Sequence, residues 1–340
     1  MFTVVDIMRW NSKLMLTMKK IRFLSVTILT FLIALSGCVS SSADKRGDAQ
    51  LPPITKGQRV FTCGHSFHVW VVPMLDEMAK AAGIADHQIA GVSSIGGSRV
   101  IQHWDMSDDK HQAKETLRTG NVDVLTLSPI WVVPQKGLPP GVPFKKGEKN
   151  PNTAEIYWLP DEGIEKFAKL GVEHNPNIRI TVQEYWLPND EYVPVYPLQT
   201  RKRYDHNDTK PAALKKHQEA YDRDLTTFVR AINKQLGKET LLIVPVGQAS
   251  VALREKIVAG QAPGLKEQAE LFRDCWGHPQ APLQILAAYC HFAVIYRRNP
   301  TGLPLPSKLA NQPEGEKLNR LLQELAWDAV IHHPMSGVTK

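Results

Sequence analysis

Three short stretches of this 340-residue chain carry side chains suited to covalent chemistry. In Arg59 to Trp70 (RVFTCGHSFHVW), Ser66 follows a β-like run and a glycine. A serine at such a strand-to-helix turn has two uses. It caps the helix by accepting from the first free N–H groups, or it is a nucleophile held clear of the sheet. The second stretch is Val92-Ser93-Ser94-Ile95-Gly96-Gly97-Ser98. Paired glycines after a strand allow a turn that exposes backbone N–H groups, one way to hold an oxyanion, although a plain tight turn has the same composition. The third, Leu271 to Pro279 (LFRDCWGHP), sets Asp274 and His278 four apart in a short loop. A nucleophilic serine needs a base and the base needs an orienting acceptor, which this pair supplies. A surface ion pair has the same spacing.

The elements that must position these stretches alternate. Strand-like runs cover Arg59–Cys63, Gln88–Ser93, Val122–Leu127, Arg179–Glu184 and Thr240–Val246. Helical patterns cover Val69–Ala82, Ser98–Arg118, Asp161–Glu173, Lys210–Leu236, Gln248–Ala259 and Leu283–Arg297. Nearly all-apolar strands alternating with helices predict an α/β fold, a three-layer α/β/α sandwich around a mostly parallel five-stranded sheet. Right-handed crossovers then gather the carboxyl ends of the strands on one edge, where such folds bind ligands. Trp131–Leu159 and Leu187–Thr209 break the pattern after predicted strands and are read as substrate-enclosing loops or as surface decoration. Trp104, Trp131, Trp158 and Trp186 are read as core or as walls of an acyl- or sugar-binding cleft.

The amino-terminal region reads differently. Lys19-Lys20-Ile21-Arg22 precedes a mostly apolar run from Phe23 to Leu35, and Leu35-Ser36-Gly37-Cys38 follows. A positive end, a short apolar core and small residues predict a secretion signal over 1–37, too short for a comfortable span of roughly 20 residues. Its last four residues resemble the bacterial lipobox, which implies a lipid on Cys38, membrane attachment, and an extracytoplasmic place in the cell envelope. Met18 is an alternative start, making 1–17 an upstream extension. Residues 38–56 read as a polar tether, 57–310 as the catalytic domain and 311–340 as a carboxyl-terminal helix and tail. Of 41 basic and 34 acidic residues, five and one lie in 1–37, leaving 36 and 33, a net +3. That balance argues against nucleic acid as a partner. Cys63, Cys275 and Cys290 have no metal-ligand spacing. Cys63 and Cys275 are read as free buried thiols rather than a pair, and neither a metal nor another cofactor is expected.

Strand–Gly-x-Ser, strand–Gly-Gly and a late Asp…His loop, in that order, resemble the SGNH/GDSL hydrolase superfamily. Asp123-Val124-Leu125-Thr126-Leu127, Pro160-Asp161-Glu162-Gly163-Ile164 and Arg297 to Pro304 (RRNPTGLP) are similar to secreted members. The likeness spans most of Gly57 to Pro304 in element order, with motif identity confined to short blocks. It implies a flavodoxin-like fold and ester hydrolysis through an acyl-enzyme, with Ser66 as nucleophile, His278 as base and Asp274 as its orienting partner. The N–H groups of Ser66 and Gly97 would be oxyanion donors. Two departures stand out. The family's Asp-x-x-His has one more intervening residue here, which Gly277 is placed to absorb. Its Gly-x-Asn-Asp after the third strand is replaced by Thr126-Leu127-Ser128-Pro129-Ile130-Trp131, so the asparagine donor is missing and Ser128 or Gln183 is left as its substitute. The expectation is a membrane-tethered serine esterase acting on carboxylic esters, acylated polysaccharide among them. Acyl transfer to a surface glycan and a catalytically decayed glycan-binding lipoprotein are the alternatives.

Overall fold

The computed structural model describes residues 51–109, 112–128, 161–190 and 205–338. The expectations for the signal, the start at Met18, Cys38, most of the tether, Trp131, Trp158 and the loop stretches 131–159 and 191–204 lie outside them. The elements run β1 (Arg59–Gly64), α1 (Val71–Ala81), β2 (Gln88–Ser94), α2 (Val100–Asp105), α3 (Ala113–Arg118), β3 (Val124–Leu127) and α4 (Glu162–His174). They continue with β4 (Arg179–Gln183), α5 (Pro211–Leu236), β5 (Leu241–Val244), α6 (Val246–Val258), α7 (Ala281–Tyr296) and α8 (Gly315–His332).

The five strands form one all-parallel sheet in the order β2-β1-β3-β4-β5. This doubly wound order reverses at β1/β3, so the crevice opens at the carboxyl ends of those two strands. Ser66 follows one and Ser128 the other. β3 and β5 are buried at every position, as their unbroken apolar runs require of strands covered on both faces. α1 packs with α7 and α7 with α8, while α2 and α3 pack with α4, giving the layers of an α/β/α sandwich. α7 is buried all round, which explains why its sequence shows no polar stripe. β2 is an edge strand with exposed Ile89 and Val92. The other edge is covered: Ile243 N–H donates to Met335 O at 2.8 Å. Residues 311–338 are part of this same core, because α8 buries Leu318, Leu322, Ala326 and Val330.

One predicted helix divides. Ser98–Arg118 contains two helices, α2 and α3. Lys114 Nζ donates to Trp104 O and Met106 O, both at 2.9 Å, and a cation on the last carbonyls of α2 terminates it. At its other end α2 is tied to α4. Asp161 accepts from Val100 N–H (2.7 Å), Ile101 N–H (2.9 Å) and Gly163 N–H (3.0 Å), so one carboxylate caps both helices.

Candidate active site

Ser66 lies at the carboxyl end of β1 in a turn of its own. His68 N–H and Val69 N–H both donate to His65 O, at 2.9 and 3.1 Å, and α1 starts only at Val71. The capping reading therefore fails: among the described residues, no side chain caps α1. The half-buried Ser66 Oγ is instead 2.8 Å from His278 Nε2. A side chain at Gly64 would have its Cβ 2.8 Å from His68 Cδ2, so this tight approach of turn to strand requires glycine. Trp70 Nε1 donates to Ser66 O at 2.9 Å and fixes the turn from the helix side.

The Asp274–His278 loop is closed at its base. Arg273 N–H donates to His278 O (2.9 Å), Gln280 N–H donates to Leu271 O (2.8 Å), and Phe272 and Pro279 form an antiparallel bridge. The chain turns at Gly277, whose φ is +85° and whose Cβ would fall 2.8 Å from Pro188 Cβ. The extra residue between Asp274 and His278 is accommodated there. Asp274 Oδ2 is 2.7 Å from His278 Nδ1, and its Oδ1 accepts from Trp276 N–H and His278 N–H. Because an ionised carboxylate only accepts, Nδ1 carries the proton and Nε2 faces Ser66 as an acceptor. Phe67 stacks on the His278 ring at 4.7 Å and 20°. Trp186 Nε1 donates to Gly277 O, and His206 Nε2 is hydrogen-bonded to Asp274 O. Trp186, 1% exposed, is thus a brace beneath the site rather than a wall of a cleft, and Trp104 packs edge-on against Phe167.

Gly97 has φ +61° and lies on the exposed turn after β2, next to the Ser66 turn, since Ile95 N–H donates to Gly64 O at 3.1 Å. Among the described residues, neither Ser66 N–H nor Gly97 N–H has a backbone acceptor. Buried His103 holds this turn at both feet, with Nδ1 2.9 Å from Ser93 Oγ and Nε2 2.7 Å from Ser98 Oγ. No motif pointed to His103; the signal was two serines flanking Ile95-Gly96-Gly97 with a histidine five residues on.

The two substitutes for the missing asparagine separate. Gln183 Nε2 donates to Phe67 O and to Ser128 Oγ, each at 3.2 Å. Its Oε1 is 3.0 Å from His68 Nδ1 and 2.9 Å from His291 Nε2. Both amide hydrogens are engaged and the residue is buried, so Gln183 is a beam beneath the site and not an oxyanion donor. Ser128 accepts from that beam and keeps its own hydroxyl hydrogen, which has no acceptor among the described residues. His68 continues the network to Thr126 Oγ1 at 2.8 Å, and Thr126 Oγ1 is 3.1 Å from Thr62 Oγ1. Burial lowers His65 to about 3, lowers His68 to about 4, and puts His291 well below the ordinary imidazole value. The floor of the site is therefore polar but uncharged. Cys63 and Cys290 are buried free thiols held protonated by burial; Cys275, expected to be buried, is partly exposed in the Asp274–His278 loop. Among the described residues, no three His, Cys, Asp or Glu side chains gather as metal ligands.

No protein-family profile matches the chain, and no curated protein matches it. A DUF4886 family protein from Bacteroides uniformis, known from a crystal structure, is similar over 82% of this chain and 95% of that one, with 16% identity and a TM-score of 0.47. A likeness that distant carries no argument, and the chemistry rests on the site's own geometry.

Proposed function

We propose that the chain is a serine-dependent ester hydrolase of the SGNH/GDSL kind. The observation that carries this reading is the line Ser66 Oγ–His278 Nε2–Asp274, with successive separations of 2.8 and 2.7 Å. His278 Nε2 takes the Ser66 proton as Oγ bonds to the ester carbonyl carbon. The N–H groups of Ser66 and Gly97 and the Ser128 hydroxyl donate to the oxyanion. Collapse of the tetrahedral intermediate expels the alcohol, which receives the proton from His278. Water, deprotonated by the same ring, then attacks the acyl-serine and releases the acid. Asp274 holds the tautomer throughout. Acyl transfer to a sugar hydroxyl shares the first half of this scheme, and product analysis with an acceptor glycan separates the two. An extracytoplasmic, lipid-anchored placement belongs to the same reading and is supported by Leu35-Ser36-Gly37-Cys38.

The test is turnover of p-nitrophenyl acetate and butyrate, together with labelling by a fluorophosphonate. Ser66→Ala is expected to lower kcat by about 10⁶-fold and to abolish labelling. Equal turnover in wild type and Ser66→Ala would overturn the assignment, as would a wild-type chain that resists the probe.

A further inference from the structure

At the pole opposite Ser66, a cavity of about 360 Å³ opens between the amino ends of β1 and β4. Lys56, Arg59, Asp123, Asn177 and Arg179 contribute to its lining. Its charges do not balance. Asp123 is held by Arg59 through two side-chain hydrogen bonds of 2.7 and 3.0 Å and is thereby neutralised. Among the described residues, the Arg179 guanidinium donates only to neutral acceptors, Ile295 O and Gln58 Oε1, each at 2.9 Å. Burial, with Arg297 nearby, lowers the Arg179 guanidinium to about 10, still charged at neutral pH, against the opposing pull of Tyr296 and of the Asp123 carboxylate that Arg59 already holds. Among the described residues, the buried Nε of Arg297 has no partner. A largely buried cation normally has an anion beside it, because desolvation without a counter-charge is costly.

We propose that this cavity binds an oxyanion of the phosphate class. The guanidinium hydrogens of Arg179 not taken by Ile295 O and Gln58 Oε1, and the exposed ammonium of Lys56, suit tetrahedral oxygens, and the volume leaves room for a small alcohol esterified to the phosphorus. The chain that leads into β1, Lys56 to Gln58, forms part of the wall, so an anion bound there meets the protein where its amino-terminal segment joins the fold. A phospholipid headgroup and a free phosphate share this chemistry.

Calorimetric titration of the full chain in detergent, with inorganic phosphate and with glycerol 3-phosphate as a headgroup fragment, tests the site. Saturable binding with unit stoichiometry is expected. It should weaken about tenfold in Lys56→Gln, whose exposed side chain the fold does not need, and in Arg179→Lys. It should be unchanged in Ser66→Ala, which keeps this test independent of the proposed hydrolysis. Tighter binding of glycerol 3-phosphate assigns a headgroup, and equal or weaker binding assigns free phosphate. Absence of saturable binding of both probes, or affinity indifferent to Lys56→Gln, overturns the proposal.

Discussion

Ser128 stands where the family pattern places an asparagine, and it meets the Gln183 amide as an acceptor at 3.2 Å. A hydroxyl whose oxygen is held from below directs its single hydrogen elsewhere. If that hydrogen meets the oxyanion, Ser128→Ala lowers kcat by about 10- to 100-fold with little change in KM, somewhat less than the loss of a donor amide. Steady-state kinetics on p-nitrophenyl butyrate would show it, and an unaltered kcat would remove Ser128 from the oxyanion site. Ser66, Asp274 and His278 were legible in the sequence because their chemical types are rare in that combination and each follows a recognisable break in the apolar pattern. Gln183, His68 and His291 were not legible as a unit. The His68–Gln183 and His291–Gln183 contacts span 115 and 108 residues, and a polar residue at a strand end has no one-dimensional mark of its partners.

The strands were readable to within about two residues at each end because β3 and β5 are short, mostly apolar runs and β4 alternates apolar with polar residues, each bounded by turn-forming residues. The division of 98–118 was not, because α2 is terminated by a lysine that lies ten residues beyond the Trp104 carbonyl it satisfies. Among the loops, the one carrying Asp274 and His278 depends most on backbone conformation. Gly277 occupies the left-handed region and faces Pro188 at close range. Gly277→Ala adds both φ strain and a clash, so it should destabilise the fold by about 1–3 kcal/mol. It should also displace His278 from Ser66 enough to reduce kcat/KM by at least about tenfold. Denaturant unfolding and ester turnover measure the two effects; a variant matching wild type in both would show that the loop does not need this turn.

Taken whole, the molecule buries a carboxyl group, Glu184, as well as aligning Ser66, His278 and Asp274 at the sheet's edge. Glu184, fully buried just after β4, accepts from Gln218 Nε2 at 2.7 Å and Gln248 N–H at 3.1 Å. Burial, with Asp222 nearby, pushes it up to about 8. The folded chain then keeps a proton that the unfolded chain releases near its ordinary pKa of about 4.3. The associated stability is complete below that value and is lost as pH rises towards and through 8. Urea unfolding across pH 5 to 8 should therefore show a decline in wild type that is shallower in Glu184→Gln, by an amount on the order of a few kcal/mol. Parallel profiles for the two proteins would place the Glu184 carboxyl in its ionised form throughout. The distance along the chain has a further consequence. Ser66 and His278 meet across 212 residues, with four of the five strands beginning between them. Contacts of such span come at the cost of closing a long loop and are made only once the intervening sheet is assembled. A chain still lacking that sheet does not hold Ser66 and His278 together, so the chemistry proposed for the pair arrives with the final stage of folding.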